Sequence, residues 1–255
     1  MQPQAEFAGG TAQTERGKKM SIQFFTPRGP KNELIKLPAA LRKTVRWLPQ
    51  IGDVFPDFSI ETTQGDLNFW EWAEGSWVHL FSHPAANTPV CTTEMAAIAS
   101  LEDEWREANV KNLALSGSSL DEQRSWHDDI SGLFGLKIGF PCAHDPGLQL
   151  SRLFGMLHEK ADANRPIRKS FLINPAMRVA ILFEYPNFIG RNFEEVLRVI
   201  KALQLQSATG AATPADWQRG DMVIIPDGRP ESEVVRQFGT GSDRILPYLR
   251  VVSGG

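Results

Sequence analysis

Cys91 lies in Ser82-His83-Pro84-Ala85-Ala86-Asn87-Thr88-Pro89-Val90-Cys91-Thr92-Thr93-Glu94, after the apolar run Trp77–Phe81 and before a segment of helical periodicity, Met95, Ile98, Leu101 and Trp105. A cysteine at a strand–loop–helix junction occupies the first turn of the helix. There, unpaired backbone N–H groups and the positive end of the dipole favour an anion. The thiolate is the reactive form of cysteine, and a helix N-terminus is one of the settings that favours it. The spacing therefore points to a nucleophilic sulfur.

Reduction of a peroxide by such a sulfur requires an ionised nucleophile, in-line aim, a polarised O–O bond and restrained water. Thr88 can place a hydroxyl three residues before the sulfur. Pro84 and Pro89 stiffen the loop and remove N–H groups that would need partners. The N–H groups of Val90 and Cys91 fall where a helix start binds an oxyanion. An ionised sulfur also needs a cation. Arg168, before the apolar run Ser170–Ile173, and Arg191, before the amphipathic segment Phe193–Leu205, are the candidates. Glu94 can orient one of these guanidiniums through a bidentate pair. Taken singly, each has a plainer explanation: a buried thiol, a solvated arginine, a helix-end ion pair.

Pro84-x-x-x-Thr88-x-x-Cys91, continued by Thr92-Thr93-Glu94 and preceded by Phe81-Ser82-His83, resembles the peroxidatic loop of peroxiredoxins. Gly52-Asp53-x-x-Pro56-x-Phe58 resembles the family's opening segment, and Arg168 falls where the family places its active-site arginine. Tyr185-Pro186, Gly190-Arg191-Asn192-Phe193, Leu197-Arg198 and Ala212-Thr213-Pro214-x-Asp216-Trp217 resemble the one-cysteine subgroup in particular. The resemblance spans about residues 50–251. It implies a thioredoxin-like α/β fold, with a central mixed β-sheet flanked by helices and a small, mostly-β C-terminal domain. It also implies a thiol peroxidase acting on hydrogen peroxide and organic hydroperoxides. Cys91 would pass through a sulfenic acid, Thr88 and Arg168 would bind and polarise the peroxide, and Pro84 would shield the sulfur. Glu94 and Arg191 would support Arg168, and His83 would lie beside the pocket. The implied partners are an external thiol of the glutathione or thioredoxin type and a second copy of the chain in a homodimer. No cofactor is implied. The alternative is a redox sensor or chaperone switched by oxidation of Cys91.

Cys142, the other of the two cysteines, has no basic neighbour in sequence, and a buried core thiol is favoured over a partner for Cys91. Similar proteins carry Asp-Phe where this chain has Ala86-Asn87, so a more mobile loop is expected. Some of them are credited with a hydrolase serine, matched here by Ser76. The histidine and aspartate positions fall at Trp70 and about Ala176, which leaves that serine without a base.

The elements that must carry these residues alternate. A hairpin around Thr62–Asp66 precedes the strand Trp77–Phe81, a helix from Cys91 to about Asn109 and the strand Val110–Leu115. Ser119-x-x-Glu122 is a capping box opening a helix to about Ile130. A strand Lys137–Cys142, a helix Pro146–Phe154, the hairpin Ser170–Ile173 and Val179–Phe183, and the helix Phe193–Leu205 follow. The expected domains are a basic N-terminal extension over 1–50, a peroxidase domain over 51–208 and a small domain over 209–255.

The formal net charge of −3 argues against nucleic acid as the main partner. Residues 1–50 hold nine Lys/Arg against three Glu, and their first twenty read as disordered. The basic stretch Glu33–Leu48 reads as a short packed helix, or as a membrane-surface helix. No apolar core of a secretory signal is present, and a reducing, cytoplasmic setting is expected. The five histidines are scattered, with no metal-ligand spacing.

Overall fold

A computed structural model of the chain describes residues 48–253 except 159, 160 and 163. The disorder expected over 1–20 and the amphipathic stretch ahead of Leu48 lie outside the described residues. β1 (Ser59–Thr62) and β2 (Gly65–Asn68) form the expected hairpin, in which the Thr62 hydroxyl donates to the Gly65 carbonyl at 2.7 Å. The Asn68 side chain then caps α1 (Phe69–Ala73), accepting from the Glu71 N–H at 3.1 Å. β3 (Trp77–Ser82) is buried along its whole length, as a central strand covered on both faces must be.

The helix expected to run to Asn109 is two helices, α2 (Pro89–Ser100) and α3 (Glu102–Glu107). They break at Leu101, whose N–H turns back to the Ile98 carbonyl three residues before it. β4 (Val110–Ser116) follows, and α4 (Leu120–Phe134) opens with both halves of the capping box, Ser119 and Glu122, in place. It runs four residues beyond the expected end and stops at Gly135, in the left-handed region at φ +68°. The strand expected at Lys137–Cys142 is instead β5 (Cys142–His144). Pro141 has no N–H to give a ladder, so pairing with β4 starts one residue later, Ala114 against Cys142. The helix expected over Pro146–Phe154 begins as a 3₁₀ turn, Pro146–Leu148. Positive φ at Gly147 and Leu148 separates that turn from α5 (Gln149–Leu153). β6 (Arg168–Ile173) and β7 (Val179–Tyr185) complete the first compact unit, which comprises the residues up to Ala96 and Lys111–Gly190.

Its seven strands lie in the order β2-β1-β5-β4-β3-β6-β7. β4 and β5 are parallel, while β3–β6 and β6–β7 are antiparallel, so the sheet is mixed. Alternation along the strands sends Val78 and Leu80, Leu113 and Leu115, and Phe171 and Ile173 to one apolar core with Phe55, Phe58, Phe69 and Phe154. The other parity carries a buried polar chain: His79 lies 2.8 Å from Asn112 Oδ1 and 2.9 Å from Ser170 Oγ. It ties three neighbouring strands together and leaves β6 rigid where it delivers Arg168.

The second unit comprises Ala97–Val110 and the chain from Arg191 onward. α6 (Phe193–Thr209) ends at Gly210, φ +70°, and so runs four residues beyond its expected end at Leu205. β8 (Val223–Ile224), α7 (Glu231–Phe238), β9 (Asp243–Leu246) and β10 (Leu249–Val252) follow, with the strands ordered β8-β10-β9. Ala202 and Leu205 of α6 pack on the core of Trp217, Val223, Ile225, Val234 and Val252. The helix expected in the peroxidase domain thus clusters with the C-terminal elements.

Candidate active site

Pro89 starts α2, a position where a missing N–H needs no partner. The Thr88 carbonyl accepts from the Thr92 N–H and the Thr92 hydroxyl, both at 2.9 Å. Cys91 is therefore in the first helical turn, as its spacing required, and it is 0% exposed. Asn87 turns the loop into the helix at φ +56°, a left-handed conformation that asparagine tolerates. The buried Ala86 donates its N–H to Ser118 Oγ at 3.0 Å, which ties the loop to the segment after β4.

Arg168, the first residue of β6, reaches the sulfur: its Nη1 donates to Cys91 Sγ at 3.3 Å. The same nitrogen donates to Glu94 Oε2 at 2.7 Å, while Nε and Nη2 both donate to the Asn187 carbonyl, at 3.1 and 2.7 Å. Arg168 and Glu94 are each 2% exposed, so their charges compensate in a desolvated setting. Glu94 thus orients one of the two candidate guanidiniums, that of Arg168. One nitrogen makes the ion pair because the other edge of the guanidinium is spent on a backbone carbonyl.

The Thr88 hydroxyl donates to the Ala85 carbonyl at 2.9 Å, so its hydrogen is not aimed at the sulfur. Its oxygen keeps lone pairs that can accept from the O–H of a hydroperoxide. Pro84 is buried in the same loop. His83 is buried too, with its ring 5.5 Å from that of Trp126, whose Nε1 donates to Thr92 Oγ1 at 3.0 Å. Cys91, Arg168, Glu94, Thr88, Pro84 and His83 all belong to the first unit. Arg191 belongs to the second, where its guanidinium lies over the Phe193 ring at 5.5 Å.

Three further residues support the site. Asn187 acts through its backbone carbonyl, which leaves no trace in residue type. Ser118 acts on a backbone N–H. Trp126 was findable, since it lies on the apolar face of the capped helix α4.

Cys142 is fully buried on β5, and burial pushes its thiol far above the ordinary range. Ser76 is buried in the turn before β3, and the Trp70 indole is committed to the Phe55 carbonyl at 2.9 Å. Among the described residues, no group of three or more His, Cys, Asp or Glu could hold a metal ion, and no helix is long and apolar enough to cross a membrane.

Residues 51–181 match the AhpC/TSA family, and residues 202–241 match the C-terminal domain of 1-Cys peroxiredoxin. The chain is 40% identical to mitochondrial peroxiredoxin PRX1 of Saccharomyces cerevisiae over 202 residues, which are 76% of this chain and 77% of that one. It is 39% identical to mouse (Mus musculus) peroxiredoxin-6 over 199 residues, 75% of this chain and 89% of that one. A solved structure of the yeast mitochondrial 1-Cys peroxiredoxin, 37% identical, superposes with a TM-score of 0.75 over 81% of this chain and 100% of that one. Peroxiredoxin 6 of Arenicola marina, at 34% identity, gives 0.74 over 81% and 98%. The chain belongs to the AhpC/TSA family, carries the C-terminal domain of its 1-Cys peroxiredoxins, and is a thiol-dependent peroxidase.

Proposed function

We propose that Cys91 is the peroxidatic residue, and that the enzyme reduces hydrogen peroxide and organic hydroperoxides at the expense of an external thiol. The contact between Arg168 Nη1 and Cys91 Sγ at 3.3 Å carries this assignment, because it sets a fixed cation beside a sulfur in the first turn of a helix. A sulfur lone pair attacks the terminal peroxide oxygen, the S–O bond forms as the O–O bond breaks, and the leaving oxygen takes a proton to depart as water or an alcohol. Arg168 stabilises the charge that passes from sulfur to leaving oxygen, and does so without rearranging, because Glu94 and the Asn187 carbonyl already hold it. Thr88 Oγ1 accepts from the peroxide O–H, and Pro84 restricts water. His83 flanks the pocket, and Arg191 enters this assignment on its sequence position alone.

The sulfenic acid is then reduced in two thiol steps. One thiol displaces water to leave a mixed disulfide on Cys91, and a second displaces the Cys91 thiolate and departs as the disulfide. The yeast structure concerns thiol resolution through the glutathione and thioredoxin systems, which supports reductants of those types here. A homodimer belongs to the same proposal. β7 is an edge of the seven-stranded sheet and carries partly buried Ile181, Leu182 and Phe183, an edge suited to pairing with a second copy. Both cysteines are free thiols, which suits a reducing compartment, and the cytoplasm is the proposed setting.

Peroxide consumption by wild type, Cys91→Ser and Cys142→Ser with glutathione or a thioredoxin system tests the assignment. Turnover lost only in Cys91→Ser is expected. One stoichiometric oxidation without turnover under any thiol would replace this proposal with a sensor role.

A further inference from the structure

Cys91 is fully buried, so only the –OOH head of a substrate reaches the sulfur, and whatever is attached to it stays at the mouth of the site. Beside Arg168 and the start of α2 runs the segment Pro186–Gly190, which follows β7. Its Asn187 carbonyl holds Arg168 by two hydrogen bonds, and its Ile189 N–H closes a turn on the Pro186 carbonyl at 3.1 Å. A Cβ placed on Gly190 would lie 3.5 Å from Cγ1 of Val90, the residue before Cys91. The segment therefore runs from the guanidinium to the first turn of α2. Between those two anchors it presents Phe188 and Ile189, which are 78% and 47% exposed. The other loop at the site, Ala85-Ala86-Asn87, carries only short side chains.

Two large apolar side chains standing in water beside a buried nucleophile have no use for hydrogen peroxide, which has no apolar surface to cover. They suit a substrate whose reacting head enters the site while an apolar tail lies outside it. Resting on the peroxidase assignment, we propose that Phe188 and Ile189 form an apolar ledge that seats the tail of an alkyl or aryl hydroperoxide. The ledge makes the enzyme selective for such hydroperoxides over hydrogen peroxide. The alcohol formed as the O–O bond breaks leaves from this ledge, having taken up one proton, while the oxygen transferred to sulfur stays on Cys91. Contact with the tail is made in both the bound and the reacting state, so it acts chiefly on KM.

The test is kcat/KM for cumene hydroperoxide and for hydrogen peroxide, with one reductant throughout, in wild type, Phe188→Ser/Ile189→Ser and Phe188→Leu/Ile189→Val. The serine pair is expected to lower the ratio of cumene hydroperoxide to hydrogen peroxide about tenfold, equivalent to ~1.4 kcal/mol, through a higher KM for the organic substrate. The Leu/Val pair is expected to keep most of the ratio. An unchanged ratio overturns the ledge alone, including the case in which the serine pair alters only the sedimentation of the protein and the side chains prove to be a self-association surface. An equal fall for both substrates also overturns it, because the loop would then act only through Arg168. A wild-type protein that reduces neither peroxide overturns the ledge together with the peroxidase assignment.

Discussion

Replacing Arg168 with methionine removes the cation from Cys91 while nearly keeping the length of the side chain. At 3.3 Å, a unit charge facing a thiolate interacts by about 5 kcal/mol at an effective dielectric of ~20. Only the part of this that grows as charge moves onto the leaving oxygen speeds the reaction. Loss of one such preorganised donor costs on the order of 10²–10³ in rate. The same substitution also breaks the ion pair with Glu94, which is 2% exposed and 2.7 Å from the lost nitrogen. Breaking a buried ion pair by removing one member destabilises a fold by up to about 3–5 kcal/mol. Adding Glu94→Gln removes the remaining charge, so the double variant is expected to recover most of the stability and none of the rate. Single-turnover stopped-flow oxidation of Cys91 by hydrogen peroxide, alongside urea unfolding of each variant, separates the two roles. A folded double variant oxidised within about threefold of the wild-type rate would refute the electrostatic assignment. An Arg168→Met protein as stable as wild type would refute a stabilising role for the Arg168–Glu94 pair.

Other expectations concern pH, the second cysteine and the helix cap. Burial, and after it the nearby His83, holds the pKa of His127 down at about 4, against an unfolded value near ~6.5. The folded protein therefore binds fewer protons than the unfolded chain in that window, so this contribution is intact above pH ~6.5 and is lost as pH falls toward 4. It amounts to at most about 3 kcal/mol, reduced to about 1–2 kcal/mol by the partial exposure of the ring, and His127→Gln is expected to flatten that slope in urea titrations between pH 7.5 and 4.5. Cys142→Ala is expected to leave Cys91 oxidation and turnover unchanged while lowering stability by about 1–2 kcal/mol, with no change on non-reducing gels after peroxide. Ser119→Ala removes the side chain that accepts from the Glu122 N–H at 3.3 Å, and a loss of about 1 kcal/mol is expected as a lower urea midpoint at constant slope.

The sequence made the chemistry legible where a residue's type is the function. Cys91, Arg168 and Glu94 meet as their spacing and the family motif implied, because a strand–loop–helix junction and a neighbouring strand end can bring them together in few ways. It was silent where the backbone acts: the Asn187 carbonyl that fixes the guanidinium would serve equally in any residue. Thr88 was legible as a participant, whereas the direction of its hydroxyl, toward Ala85, depends on a loop conformation that no pattern encodes. Among the elements, capping signals placed the start of α4, and local chemistry moved the others. Pro141 delayed β5, a backbone turn at Leu101 split one helix in two, and α6 ran on through small residues that resemble a linker until Gly210 ended it.

The central claim is that Cys91, and no other residue, takes the oxygen atom from peroxide. Reduced wild type, Cys91→Ser and Cys142→Ser, each given one equivalent of hydrogen peroxide in the presence of dimedone, are to be digested and mapped by mass spectrometry. The account expects the sulfenic-acid adduct on Cys91 in wild type and in Cys142→Ser, and none in Cys91→Ser. An adduct on Cys142, or a disulfide joining Cys91 to Cys142, would contradict it.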